Sequence, residues 1–251
     1  MKTQSRNNTV VALDFDGVVC DSINECLVTG YNAWGRLFGN EKRWATSYND
    51  VPLALRESFR VRRYFVRPAK HYGLLINELL HGRYPRDQIS FDLLAKKTSL
   101  DLDAFESTFF ECREELRRQD IRAWMDLHRL YPFNNEWFAK MESSSVHVVT
   151  TKDAQSVREL NRHFGLGFDE TLIWDKDRTE DKSQAILQIA EIHQCDTKDI
   201  IFVDDHPDHL ALVKENTKAK CFWASWGYTP RDAVFFGPDF FGINSLSESN
   251  K

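Results

Sequence analysis

An apolar run from Thr9 to Leu13 stops at Asp14-Phe15-Asp16-Gly17, and no second run of that kind comes until Val146 to Val149. After that point such runs follow at short intervals: Thr171 to Trp174, Ile200 to Val203, and Cys221 to Trp223 as a further candidate. Helical patterns separate them. Asp153 is placed to cap a helix whose Val157, Leu160 and Phe164 share a face and which Gly165 can end. Ala185, Ile186, Ile189 and Ala190 make a second stripe, and Leu210 and Val213 mark a third helix. Short buried strands alternating with helices are the signature of a parallel α/β sheet. Here the first strand is cut off from the rest by a long insert.

The insert has its own character. Ile23, Leu27, Tyr31 and Trp34 form one helical stripe, and Leu102, Phe105, Phe109, Cys112 and Leu116 form a longer one, with no convincing strand between them. The chain is therefore expected to fold as an α/β core domain from residues 1–20 and 131–251, with an all-helical domain from 21–130. Tyr131-Pro132 is a plausible return hinge, because proline discourages helix in the residue before it. The polar tail 245–251 is expected to be disordered.

Composition narrows the class. The 251 residues are enough for a substantial core, and the seven Trp and eighteen Phe suit a well-filled interior. A formal net charge of -5 gives no general attraction to nucleic acid, so an anionic substrate must meet local positive charge. No apolar run is long enough to span a membrane, and Met1 to Asn8 is polar without the apolar centre of a signal peptide. A cytoplasmic protein with no membrane partner is expected. The five cysteines, Cys20, Cys26, Cys112, Cys195 and Cys221, are odd in number and contain no Cys-x-x-Cys pair, which argues against a disulfide framework and a zinc cluster.

In open parallel sheets ligands bind beyond the carboxyl ends of the strands, so the residues just after each run belong together. The first run delivers Asp14 and Asp16, with Gly17 permitting a sharp turn that displaces Asp16 towards whatever Asp14 attacks. Two acids this close repel unless a cation sits between them, and an all-oxygen donor set suits Mg²⁺. The second run ends in Thr150-Thr151-Lys152, offering hydroxyls and free backbone N–H groups at the start of the next helix. Asp204-Asp205 supplies a second acidic cluster, and Lys182, at a helix start, can neutralise phosphate and carboxylate charge. Each group alone has a plainer role as a turn residue, a cap or a solvated lysine. Together they supply acid, hydroxyl, amine and acid at independent strand ends and helix starts.

The chain resembles the haloacid dehalogenase superfamily, in its phosphoglycolate-phosphatase-like branch. Asp14-Phe15-Asp16-Gly17, Thr150, Lys182 and Phe202-Val203-Asp204-Asp205 carry the resemblance. It covers 1–20 and 131–251 well, while 21–130 matches only as an inserted helical cap, longer than the caps typical of that branch. The resemblance implies a Rossmann-like core and a Mg²⁺-dependent phosphatase. Asp14 would be the nucleophile forming an aspartyl-phosphate, and Asp16 the acid and then the base. The Asp16 carbonyl, with the side chains of Asp14 and Asp205, would bind Mg²⁺, and Thr150 and Lys182 would hold the phosphoryl oxygens. The chain departs from the common Gly-Asp-x-x-x-Asp form, having Asp204 in place of that glycine and His209 in place of the second aspartate. Candidate ligands rank Asp205, then Asp204, then Asp208.

Specificity is expected from the cap, whose segment Arg56 to Tyr72 interleaves basic and aromatic residues. Arg63 and Arg67 are the candidates for gripping a second charged group of a small phosphorylated metabolite. The alternatives are a phosphoglucomutase-like phosphoryl transferase and a catalytically idle binding module with the same fold. The oligomeric state, monomer or homodimer, is left open.

Overall fold

The structure is a computed structural model, and it describes residues 10–39, 44–131, 145–179, 181–229 and the backbone of 241–242. The chain divides into two compact units, one made of 1–21 and 130–251 and the other of 22–129. The tail 245–251 and Pro132 lie outside the described residues, as do Thr9 and residues 230–240.

Among the described residues the strands in chain order are β1 (Val10–Leu13), β2 (Cys20–Asp21), β3 (Arg129–Leu130), β4 (Val146–Val149), β5 (Ile173–Trp174), β6 (Ile200–Asp204), β7 (Lys220–Trp223) and β8 (Phe241–Gly242). Six of them form one parallel sheet in the order β5-β4-β1-β6-β7-β8. The apolar runs form these strands because both faces of the sheet are covered, so every residue of β1 and β4 is buried. One face packs Val10, Ala12, Val149, Phe202 and Trp223 against Ile186 and Ile189 of the helix Lys182–His193 and Leu210 and Val213 of the helix Pro207–Asn216. The helix Ala154–Phe164 starts with the Asp153 carboxylate accepting from the Ser156 N–H at 2.8 Å and ends at Gly165 with φ 63°. Its apolar side buries Val157 and Leu160.

Strand order reverses at β1. The chain runs outward from β4 to β5, then returns across β1 to β6 and on to β7 and β8. This is a topological switch point, where a crevice opens at the carboxyl ends of the strands. In register, Leu13 lies opposite Val148 on one side and Val203 on the other. Continuing by one residue sets Asp14 level with Asp204.

The structure differs from the sequence expectation at the sheet's edges. Thr171 and Leu172, expected in a strand, lie in the 3-10 turn Glu170–Leu172, because the Asp169 carboxylate accepts from the Thr171 N–H and hydroxyl. Only Ile173 and Trp174 extend. The pairing of β8 was not legible in the sequence.

The 22–129 unit is built on the helices Ile23–Leu37, Leu53–Arg60, Lys70–Leu80, Gln88–Lys97, Leu102–Gln119 and Ile121–Met125. Leu27, Phe59, Phe65, Leu74, Phe91, Phe105 and Phe109 are buried in it. A fully buried ion pair joins its first and fifth helices, with Arg113 Nε 2.8 Å from Glu25 Oε1 and Nη2 3.0 Å from Oε2. No helix among the described residues is long and apolar enough to cross a membrane.

Candidate active site

At the end of β1 the backbone turns sharply. Gly17 takes φ 92° and donates its N–H to the Cys20 carbonyl at 2.8 Å, while Val19 and Cys20 both donate to the Phe15 carbonyl. A Cβ at position 17 would collide with the Asp205 carboxylate, so glycine is required both for the left-handed backbone and for the close approach. A Cβ at Gly227 would likewise collide with the Gly17 carbonyl and Asp205.

Asp14 lies buried at the centre of the cluster. Its Oδ1 accepts from the Phe15 N–H at 2.7 Å, and its Oδ2 lies 2.9 Å from Lys182 Nζ. The same ammonium donates to Asp204 Oδ2 at 2.6 Å. Asp204 has no exposed surface and also accepts from the His206 N–H at 2.7 Å, and His209 Nδ1 stands 3.2 Å from its Oδ2. Burial pushes the Asp14 carboxyl above its ordinary value, with Asp204 adding to the rise and Lys182 and His209 opposing it. Burial would raise Asp204 too, but Lys182 and His209 hold it well below the carboxylate range. For Lys182, burial works against the charge, and the two aspartates outweigh it and hold the ammonium above its ordinary value.

Asp16 has a different setting. It is half-buried, and the Nζ of the fully buried Lys152 side chain lies 3.4 Å from its Oδ2. Thr150 is buried at the end of β4, and its hydroxyl oxygen accepts from the Lys152 N–H at 3.1 Å. Thr151 is exposed, as is Asp208 in the first turn of its helix. Asp205 is buried, with its Oδ2 accepting from the Tyr228 N–H at 2.6 Å and its carbonyl from Trp223 Nε1 at 3.0 Å.

Asp14, Asp16, Asp204 and Asp205 make four carboxylates at neighbouring strand ends, against two buried ammonium groups. The formal sum is two negative charges, which fits a divalent cation held by hard oxygen donors. Ligand atoms of Asp14, Asp204 and His209 also lie within 4.8 Å of one another. The carboxylates of Asp14 and Asp204 offer the hard oxygen donors that Mg²⁺ takes, and a His209 nitrogen, rather than Asp205, lies within the same distance.

The loop after β7 belongs to the site and was missed in the sequence. Trp226 Nε1 donates to the Val18 carbonyl at 3.2 Å and Tyr228 Oη to Asp21 Oδ1 at 3.3 Å, so this loop braces the turn that carries Asp16 and Gly17. The rule of inspecting each strand end, extended to Cys221–Trp223, points to it. Arg63 and Arg67 lie in the other unit and are engaged there. Arg63 is buried over the Tyr72 ring and donates to the Val66 carbonyl, and Arg67 pairs with Asp92 at 2.7 Å.

No family model matches the sequence, and no curated protein matches it closely enough to serve as a relative. Solved structures do match the fold. A predicted phosphoglycolate phosphatase from Haemophilus somnus superposes with a TM-score of 0.58 at 13% identity, covering 90% of this chain and 89% of that one. A haloacid dehalogenase-like hydrolase from Streptococcus pneumoniae gives 0.56 at 18% identity and 96% of both chains. A superfamily hydrolase of subfamily IA from Geobacter sulfurreducens gives 0.51 at 16%, covering 85% and 87%. The chain has the haloacid dehalogenase-like fold, a parallel α/β core with a helical insert.

Proposed function

We propose that this chain is a phosphatase that hydrolyses a small phosphorylated metabolite through an aspartyl-phosphate on Asp14, in the cytoplasm and with Mg²⁺. The observation that carries the proposal is the separation of its two acids. Asp14 is buried with the Lys182 ammonium 2.9 Å from one oxygen, which opposes the effect of burial on its charge, whereas Asp16 is half-buried at the following turn beside Lys152.

In the first step an Asp14 carboxylate oxygen bonds to phosphorus and the ester bond to the leaving oxygen breaks. Asp16 gives that oxygen its proton. In the second step Asp16 takes a proton from water, the water oxygen bonds to phosphorus, and the acyl-phosphate bond breaks to return Asp14. Lys182 and the Thr150 hydroxyl supply fixed donors for the phosphoryl oxygens, and the β4 end adds Thr151 and Lys152. Mg²⁺ would be held by Asp14, the Asp16 carbonyl and Asp205, with Asp204 the next candidate, and when bound it neutralises charge on the transferring group.

Purified protein supplied with Mg²⁺ and a panel of sugar phosphates, phosphoglycolate and nucleotides tests the reading. Release of inorganic phosphate from at least one ester, exceeding any isomer produced, is expected. A panel-wide absence of release, or isomerisation without free phosphate, would remove it.

A further inference from the structure

The basic segment of the 22–129 unit was expected to grip an anion through Arg63 and Arg67, each of which holds an internal partner. A neighbouring cleft is lined by two further arginines. It is an open cleft of about 590 Å³ lined by Val61, Arg62, Tyr64, Tyr84, Pro85 and Arg86. That volume falls in the range of small-molecule sites and well exceeds what a bare inorganic anion fills.

The chemistry of the lining has one sign. Arg62 stacks over the Tyr84 ring at 4.9 Å and donates to the Ser58 carbonyl from Nη1, which leaves most of its five N–H groups unused. Its Nε is buried without a hydrogen-bond partner. Arg86 is exposed and makes no ion pair among the described residues. Tyr64 and Tyr84 bring two hydroxyls, and no carboxylate lines the cavity. An adjoining cavity of about 440 Å³ shares Tyr84, Pro85 and Arg86 but also carries Glu78 and Asp87, so its charge is mixed. A stacked arginine is held in one orientation before any ligand arrives, which lowers the ordering cost of binding.

We propose that the cavity between Arg62, Tyr64, Tyr84 and Arg86 is a binding site for an organic phosphate, with the two guanidinium groups on the phosphoryl oxygens and the tyrosine rings beside the organic part. Two arginines at a cleft whose own lining holds no carboxylate favour an anion over a neutral ligand, with Asp87 close enough to act on Tyr64 and Arg86. The site is independent of the Asp14 chemistry. Its ligand is a separate organic phosphate held wholly within the 22–129 unit.

Phenylphosphonate, whose carbon–phosphorus bond resists hydrolysis, is the probe. Titrated into the full chain and followed by amide NMR, it is expected to shift residues 62–64, 84 and 86 and to bind at least tenfold more weakly to Arg86→Gln, an exposed position whose change spares the fold. Tyr84→Phe, which keeps the ring under Arg62, should weaken binding less. Shifts confined to 14–17, 150–152 and 204–205, or an unchanged affinity in Arg86→Gln, would overturn the site while leaving the phosphatase reading intact.

Discussion

Replacing Lys182 by Met keeps the length of the side chain and removes the ammonium seated between Asp14 and Asp204. At an effective dielectric of 20, the contacts at 2.9 and 2.6 Å are each worth about 6 kcal/mol, or roughly 12 together. Against this stand the desolvation of three buried ions at several kcal/mol each and the mutual repulsion of the aspartates. The triad is therefore close to balanced as it stands, and its stabilising effect shows only when one member is removed. Lys182→Met strands two buried carboxylates with each other, and breaking a buried pair in this way costs about 3–5 kcal/mol.

A loss of about 3 kcal/mol corresponds to a melting temperature lower by about 6–12 °C for a chain of this size. The deficit should depend on pH. Asp204 has a depressed value in the folded state, so its contribution is present above the ordinary carboxylate value of 3.8 and is lost as pH falls through the folded value. Lys182 has a raised value, so its contribution is complete below the ordinary 10.5 and is lost only as pH rises through the folded value. The difference between wild type and Lys182→Met should be full at neutral pH and shrink in acid, where Asp14 and Asp204 take up protons. Scanning calorimetry of both proteins across that range, without divalent metal, makes the comparison. Equal melting temperatures at neutral pH, or a deficit that widens in acid, would refute the reasoning.

Two further outcomes follow from other parts of the core. His147 is fully buried, and since Trp174 Nε1 can only donate to its Nδ1, its Nε2 must carry the proton shared with His193 at 2.7 Å. Burial first, then His193 and Arg178, lower His147 to about 4, so the unfolded chain binds the extra proton between the ordinary 6.5 and that value. Stability should fall by about 3 kcal/mol over this window as pH drops, and urea titrations of His147→Phe should show a flatter profile; an identical slope would contradict it. Gly17→Ala should cost about 1–3 kcal/mol and abolish phosphate release, since its Cβ would meet the Asp205 carboxylate at an unfavourable φ. Retained turnover and an unchanged urea midpoint would show that the turn is not needed.

The parts of the site that were legible are those fixed by strand periodicity. Asp14, Thr150 and Asp204 directly follow or end apolar runs, and a parallel sheet brings such positions together wherever its strands pair side by side. Lys182 was legible as a helix start, and its placement between two aspartates follows from the helix packing back on the sheet. Lys152 was expected at the phosphate, and the structure adds its approach to Asp16. Long-range contacts were not legible. The bracing of the first turn by Trp226 and Tyr228 joins residues some two hundred positions apart, and no local pattern encodes it. Nor did composition separate Arg62, which faces a cavity, from Arg63, which is buried one residue later. That distinction depends on how the 3-10 turn Arg63–Phe65 rotates the chain.

The account rests on a covalent bond between Asp14 and phosphorus. Rapid quenching during turnover of an aryl phosphate with Mg²⁺, followed by borohydride reduction, converts an aspartyl-phosphate to homoserine at the residue that carried it. Peptide mass analysis is predicted to find homoserine at position 14 and nowhere else, and to find none in Asp14→Asn. Phosphate release with an unmodified Asp14, or with Asp14→Asn as active as the parent, would contradict it.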